Sequence, residues 1–206
     1  PNTFFLFHPM KTELLDAYLS GDLRGESAAF IEAALKSDPA LREVYFQQVR
    51  MDAALRQCRE ELAALMTEEV GKLIGDSRSE VDLCAAICDF TAEQGPGELA
   101  DEERDIPGGT GVVAYSPIGV IYGIQPWNFP SYQVVRYAIA NLMAGNGILL
   151  KHASICTGSG LLLGDLFEKA GLPKSLFTVL MIDHDQSNAV IANDLVRGVT
   201  LTGSDV

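Results

Sequence analysis

The sequence predicts an α/β fold, a doubly wound parallel sheet with flanking helices, preceded by an all-helical N-terminal region. Three observations predict it. Between Lys11 and Gln94 apolar residues recur every three or four positions, which is the period of a helix with one buried side. From residue 111 onward, short and strongly apolar runs alternate with amphipathic stretches. The turn-rich segment Asp105-Ile106-Pro107-Gly108-Gly109 lies between the two textures.

In the first half the helical period is carried by Leu14, Leu15, Tyr18 and Leu19, by Phe30, Ile31, Ala34 and Leu35, and by Leu55, Leu62, Leu65 and Met66. Asp38-Pro39 reads as a helix start, with Asp38 as N-cap and Pro39 at the first helical position, where a missing N–H costs nothing. That helix is expected to run to about Glu68. Asp76-Ser77 opens another, expected to continue to about Gln94 and to stop before Gly95-Pro96-Gly97.

In the second half the apolar runs are Val112 to Tyr115, Gly119 to Ile124, Ile148 to Leu150, Phe177 to Ile182 and Val196 to Thr202. Helix candidates lie at 131–143, 158–170 and 186–193. Strands this apolar, each followed by a helix, suit a parallel sheet covered on both faces. Residues 1–50 form a separate helical segment in this reading, and 51–206 a second domain, helical over 51–106 and α/β over 111–206.

Composition bounds the function. The 206 residues are 48% apolar and 21% charged, enough for an ordinary core, and the net charge of −13 argues against nucleic acid as a partner. Residues 111–206 hold six acids and five bases, net −1, so the first 110 residues carry a net −12. An anionic ligand therefore meets less repulsion in the second half. Apolar runs fall far short of the ~20 residues of a membrane span, and the chain's opening lacks the basic start of a secretion signal. Cys58, Cys84, Cys88 and Cys156 form no C-x-x-C pair, so no metal site is expected and reduced thiols in the cytoplasm are the default.

Ligands of open α/β sheets bind beyond the carboxyl ends of the strands. Here those ends carry Gln125-Pro126-Trp127-Asn128-Phe129-Pro130, Lys151-His152-Ala153-Ser154 and Gly203-Ser204-Asp205, three segments expected to converge. Two prolines stiffen the first segment, so the Asn128 amide is a candidate for a fixed donor to a developing oxyanion. A rigid loop in which Trp127 fills a gap and Asn128 bonds backbone reads the same from spacing alone. Lys151 is either a contact for ribose or phosphate oxygens, with Ser154 sharing it, or a solvated end charge. His152, without an acid partner nearby, reads as a surface or core residue. Gly203 and Ser204 sit where backbone N–H groups and a hydroxyl receive a phosphate at a helix start. Neither G-x-G-x-x-G nor a P-loop occurs, and Gly158-Ser159-Gly160 reads as a helix start.

Taken together, Ser116-Pro117-Ile118-Gly119-Val120, Gln125 to Pro130, Leu142-Met143-Ala144-Gly145-Asn146, Lys151-His152-Ala153-Ser154 and Leu201-Thr202-Gly203-Ser204 resemble the aldehyde dehydrogenase superfamily. The Lys-His-Ala-Ser form is similar to its succinate-semialdehyde dehydrogenase branch, and Glu61 to Lys72 resembles the helical stretch before the cofactor sheet, so the likeness spans about 51–206. It implies a Rossmann-like domain that binds NADP or NAD, and oxidation of a small-molecule aldehyde to the acid through a thiohemiacetal on a cysteine. It implies further that Asn128 is the oxyanion-hole amide, Lys151 the contact of the adenosine ribose and Ser204 that of the pyrophosphate, while Gln125, Pro126 and Trp127 line the cofactor cleft. Ser154 stands where NAD-preferring relatives carry Glu, which removes a repulsion against a 2′-phosphate, so NADP is expected to be tolerated or preferred.

The same likeness places the nucleophilic cysteine and the general-base glutamate beyond the Gly-Ser motif, so this chain alone is expected to be inactive, and a longer form to be a homo-oligomer. A sheet cut at that point is expected to leave an exposed edge. Leu14 to Leu23 followed by Ala33 to Leu41 is similar to the helical pairs that open anti-sigma factors, and a generic amphipathic hairpin has the same pattern. The alternative function is a non-catalytic interaction protein whose helical N-terminus binds a partner and whose α/β half is a vestigial scaffold.

Overall fold

The computed structural model describes residues 25–37 and 50–204. The chain divides into two compact units, Pro1–Arg50 and Met51–Val206. In the first, helix α1 spans Glu26–Ser37, opened by the Gly25 carbonyl accepting from the Ala29 N–H at 3.1 Å. The expected helix start at Asp38-Pro39 and the apolar positions at Leu14 to Leu19 lie outside the described residues.

The second unit opens with three helices, α2 (Met51–Gln57), α3 (Arg59–Val70) and α4 (Ile74–Glu98). The long helix expected to reach Glu68 is interrupted at Cys58, yet the ladder nearly bridges the break, because Cys58 N–H donates to Ala54 O and Leu62 N–H to Cys58 O. Helix α4 does not stop at Gln94; it runs through Gly95-Pro96-Gly97. A proline in a helix removes its own N–H, and here that loss falls in the final turn, where α4 packs on a later helix. A Cβ at Gly95 would lie 2.9 Å from Met143 Cγ, so tertiary packing extends the helix beyond what local propensity supports.

Strands β1 (Glu102–Ile106) and β2 (Gly109–Val113) pair antiparallel across a two-residue Pro107-Gly108 loop. This corrects the assignment of Val112 to Tyr115 to the parallel sheet. The hairpin is a separate two-stranded sheet, and Glu102–Ile106 escapes sequence detection because four of its five residues are charged.

The parallel sheet contains β3 (Val120–Gln125), β4 (Gly147–His152), β5 (Phe177–Val179) and β6 (Val196–Leu201) in the order β5-β4-β3-β6. Its crossovers are α5 (Tyr132–Met143), α6 (Thr157–Lys169, after a short 3-10 turn at Ser154–Cys156) and α7 (His184–Ile191). The expected α/β architecture is therefore present, with its three crossover helices at the expected places. Strand β5 is shorter than its apolar run because, after Leu180 N–H donates to Leu150 O at 2.7 Å, the chain leaves the ladder.

Register partners on parallel strands share a face. Gly123 pairs with Leu150 and Gln125 with His152, and these residues face α5 and α6. A Cβ on Gly123 would meet Tyr137 Cζ at 2.2 Å, so glycine is what lets α5 lie against β3. On the opposite face the Tyr122 hydroxyl shares a 2.7 Å hydrogen bond with Ser187 of α7. Helices α2 to α4 pack outside α5 and α6, burying Leu55, Leu62, Met66, Val81 and Cys84 completely. Burial of each leucine, methionine or valine among them contributes about 1.5–3 kcal/mol.

Candidate functional site

The connection from β5 to β6 passes back across β4 and β3, so the winding direction reverses between β3 and β6. At such a switch point the crossover helices on the two sides diverge and leave a crevice at the carboxyl ends. The tips of β4, β3 and β6 are neighbours there: Ala153 N–H donates to Gln125 O at 2.9 Å, and Thr202 N–H to Ile124 O at 3.1 Å. The three candidate segments thus leave one edge of one sheet side by side.

The loop after β3 is held by its carbonyls. Asn128 O accepts from Lys72 Nζ at 3.4 Å, Pro130 O from His152 Nε2 at 2.8 Å, and Trp127 O from the Cys156 thiol at 3.9 Å. With its carbonyls turned inward, the loop shows its side chains outward, and Trp127, Asn128 and Phe129 are all exposed. Asn128 is exposed and bonds through its backbone carbonyl, and its side-chain amide makes no hydrogen bond among the described residues.

His152 is a core residue rather than a catalytic one. Its Nδ1 accepts from the Ala153 N–H at 2.8 Å, so Nε2 carries the proton given to Pro130 O. Burial lowers its pKa and keeps the ring neutral.

Two carboxylates that sequence reasoning missed cap the crossover helices. Glu80, buried on α4, accepts from the Ser131 and Tyr132 N–H groups at 2.8 and 2.9 Å and pairs with Lys72. Glu69, on α3, accepts from the Gly158 N–H at 2.6 Å and from the Ser159 N–H and hydroxyl at 3.1 and 2.6 Å. The Gly158-Ser159-Gly160 turn does begin a helix, and a protein carboxylate fills its anion position.

Lys151, at the end of β4, is a buried residue. It is 5% exposed, on the α7 face opposite His152, and forms no ion pair or hydrogen bond among the described residues. The buried stem carries the ammonium to solvent, since Nζ is not among the side-chain atoms that are sealed from water and lack a partner. Beyond the ends of β4 and β5, a cavity of about 280 Å³ is lined by His152, Ser154, Thr157 and Val179 to Asp183, with Lys151 not among its walls. Ser154 is the one candidate among its walls. The stretch Val179 to Asp183 escapes sequence detection because it reads as strand. Asp183 carries a carboxylate, engaged as the N-cap of α7 through Gln186 N–H at 2.8 Å.

Of the remaining candidates, Gln125 is 3% exposed and its Oε1 is buried without a partner, Pro126 is half-buried, and Gly203 and Ser204 are exposed just beyond β6. Cys84, Cys88 and Cys156 are buried and Cys58 partly so. Burial raises all four thiols, Cys58 to about 11 with help from Glu61, Cys88 and Cys156 to about 12, and Cys84 well above its ordinary value. None is a thiolate at neutral pH. No group of metal-ligating side chains occurs among the described residues.

Comparison with known proteins settles the family. The sequence model of the aldehyde dehydrogenase family matches residues 25–206. The chain belongs to the aldehyde dehydrogenase family. A succinate-semialdehyde dehydrogenase (NADP+) of Deinococcus radiodurans is 42% identical over 188 residues, covering 87% of this chain and 39% of that protein. A succinate semialdehyde dehydrogenase (NAD(P)+) of Escherichia coli K12 is 41% identical over 151 residues, 73% of this chain and 33% of that one. Among solved structures, succinic semialdehyde dehydrogenase of Streptococcus pyogenes in complex with NADP+ superposes with a TM-score of 0.75 at 31% identity, covering 91% of this chain and 39% of that one.

This aldehyde dehydrogenase chain thus spans about two fifths or less of the length of such relatives. The family match begins at Gly25 rather than Met51, so it includes part of the segment that the sequence motifs leave outside. No helix among the described residues is long and apolar enough to cross a membrane.

Proposed function

We propose that this chain is the cofactor-binding part of an NADP-dependent aldehyde dehydrogenase acting on succinate semialdehyde. The observation that carries the reading is Lys151, whose buried stem ends in an ammonium with no acceptor among the described residues, at the tip of a strand next to a topological switch point. Its charge suits ribose hydroxyls or phosphate oxygens, which offer the acceptors it lacks. Ser154 on the cavity wall adds a hydroxyl and no charge, so at that position a 2′-phosphate meets no carboxylate, while Asp183 in the same lining keeps its charge as the cap of α7. The relatives' NADP-dependent names support the same choice of cofactor.

When bound, the nicotinamide supplies the hydride acceptor. The chain's own residues bind and orient: Lys151 and Ser154 hold the adenosine end, Gly203 and Ser204 the pyrophosphate, and Gln125, Pro126 and Trp127 border the ring. The outward Asn128 amide donates a hydrogen bond where an aldehyde oxygen gains charge. The 206 residues themselves do not complete the reaction, because none of their four thiols is poised as a nucleophile.

Titration followed through Trp127, the sole tryptophan, tests this reading. NADP+ is expected to change its emission at lower concentration than NAD+, and the purified chain to show no reduction of NADP+ with succinate semialdehyde. Absence of any response at millimolar cofactor would contradict the binding role, and turnover would contradict the inactivity.

A further inference from the structure

We infer that Lys72, paired with the buried carboxylate of Glu80, is a positioning residue that aims the Trp127-Asn128 segment into the crevice. The inference rests on the cofactor-binding reading and adds two residues from the helical layer to it. The Lys72 side chain is 15% exposed and that of Glu80 is 1% exposed, so both are held within the protein. Glu80 uses its two oxygens differently: Oε1 accepts from the N–H groups of Ser131 and Tyr132 at the start of α5, and Oε2 takes the Lys72 ammonium.

An ammonium has three donors. One serves Glu80, and another reaches the Asn128 carbonyl at 3.4 Å. The ammonium also lies 3.9 Å from the centre of the Phe129 ring, a cation–π contact on the residue that follows. One charge pair therefore fixes the helix that follows the loop, the carbonyl of Asn128 and the ring beside it. A peptide carbonyl held inward leaves the Asn128 side chain directed outward. Pro126 and Pro130 remove most other freedom, so the ammonium acts on the loop's remaining degree of freedom.

Removing Lys72 alone would leave Glu80 buried and unpaired, which destabilises the fold for reasons unrelated to aim. The informative variant is therefore the double substitution Lys72→Met with Glu80→Gln. The amide oxygen introduced by Glu80→Gln still accepts from the start of α5, no charge is stranded, and the Asn128 carbonyl loses its donor. We expect thermal unfolding within a few degrees of wild type, a lower fluorescence anisotropy of Trp127 without cofactor, and NADP+ affinity weakened roughly five- to tenfold.

If the double variant fails to fold, Phe129→Leu removes only the ring beneath the ammonium and is expected to shift anisotropy and affinity in the same direction, less far. Unchanged Trp127 anisotropy together with unchanged affinity in a folded variant would overturn the inference. Should wild type itself fail to bind NADP+, the cofactor reading falls, and the anisotropy of the cofactor-free variants still decides whether Lys72 orders the loop.

Discussion

At Lys151 a buried aliphatic stem carries an ammonium that reaches solvent, because the residue is 5% exposed while its Nζ, with no acceptor among the described residues, is not among the atoms sealed from water. Methionine has similar length and no charge, so Lys151→Met is expected to leave thermal unfolding of the cofactor-free chain within a few degrees of wild type while weakening NADP+ binding at least tenfold. Thermal unfolding and calorimetric titration of the same variant check both halves. A variant that binds as wild type does would remove Lys151 from the site. The sequence shows that a lysine ends an apolar strand, and how far its stem is buried depends on tertiary packing that no local pattern carries. Glu69 and Glu80 are illegible for a related reason, since their backbone partners lie 89 and 51 residues away and a helical pattern shows them only as solvated acids.

Elements legible in the sequence are those whose local pattern and tertiary surroundings agree. Strand β3 is an apolar run with a small residue inside it, and that residue has a structural reason, since Tyr137 occupies the space a Cβ on Gly123 would need. Gly123→Ala is expected to push α5 off the sheet and to destabilise the chain by about 1–3 kcal/mol, read as a lower urea midpoint with unchanged slope. A midpoint equal to wild type would mean that the ring moves aside freely. Elements that sequence patterns misread depend on distant contacts. Glu102–Ile106 becomes a strand only through its hairpin partner, and α4 continues past Pro96 because Met143 packs on Gly95. Strand β5 ends early because residues 180–183 depart to line the cavity.

For the molecule, the order β5-β4-β3-β6 matters most, because it sets three candidate segments at adjacent strand tips although they lie far apart in sequence. Alternation of apolar runs with helices announces a parallel sheet, and the carboxyl-end rule then locates the segments. The strand order itself is not readable, since nothing local in Val196–Leu201 says that it pairs with β3 rather than beside β5. Hydrogen exchange with and without NADP+ tests the central claim most directly. Protection is expected together in peptides covering residues 125–128, 151–154 and 202–204, with little change in α2 and α3. Protection of none of the three, or of one alone, would contradict a shared dinucleotide crevice.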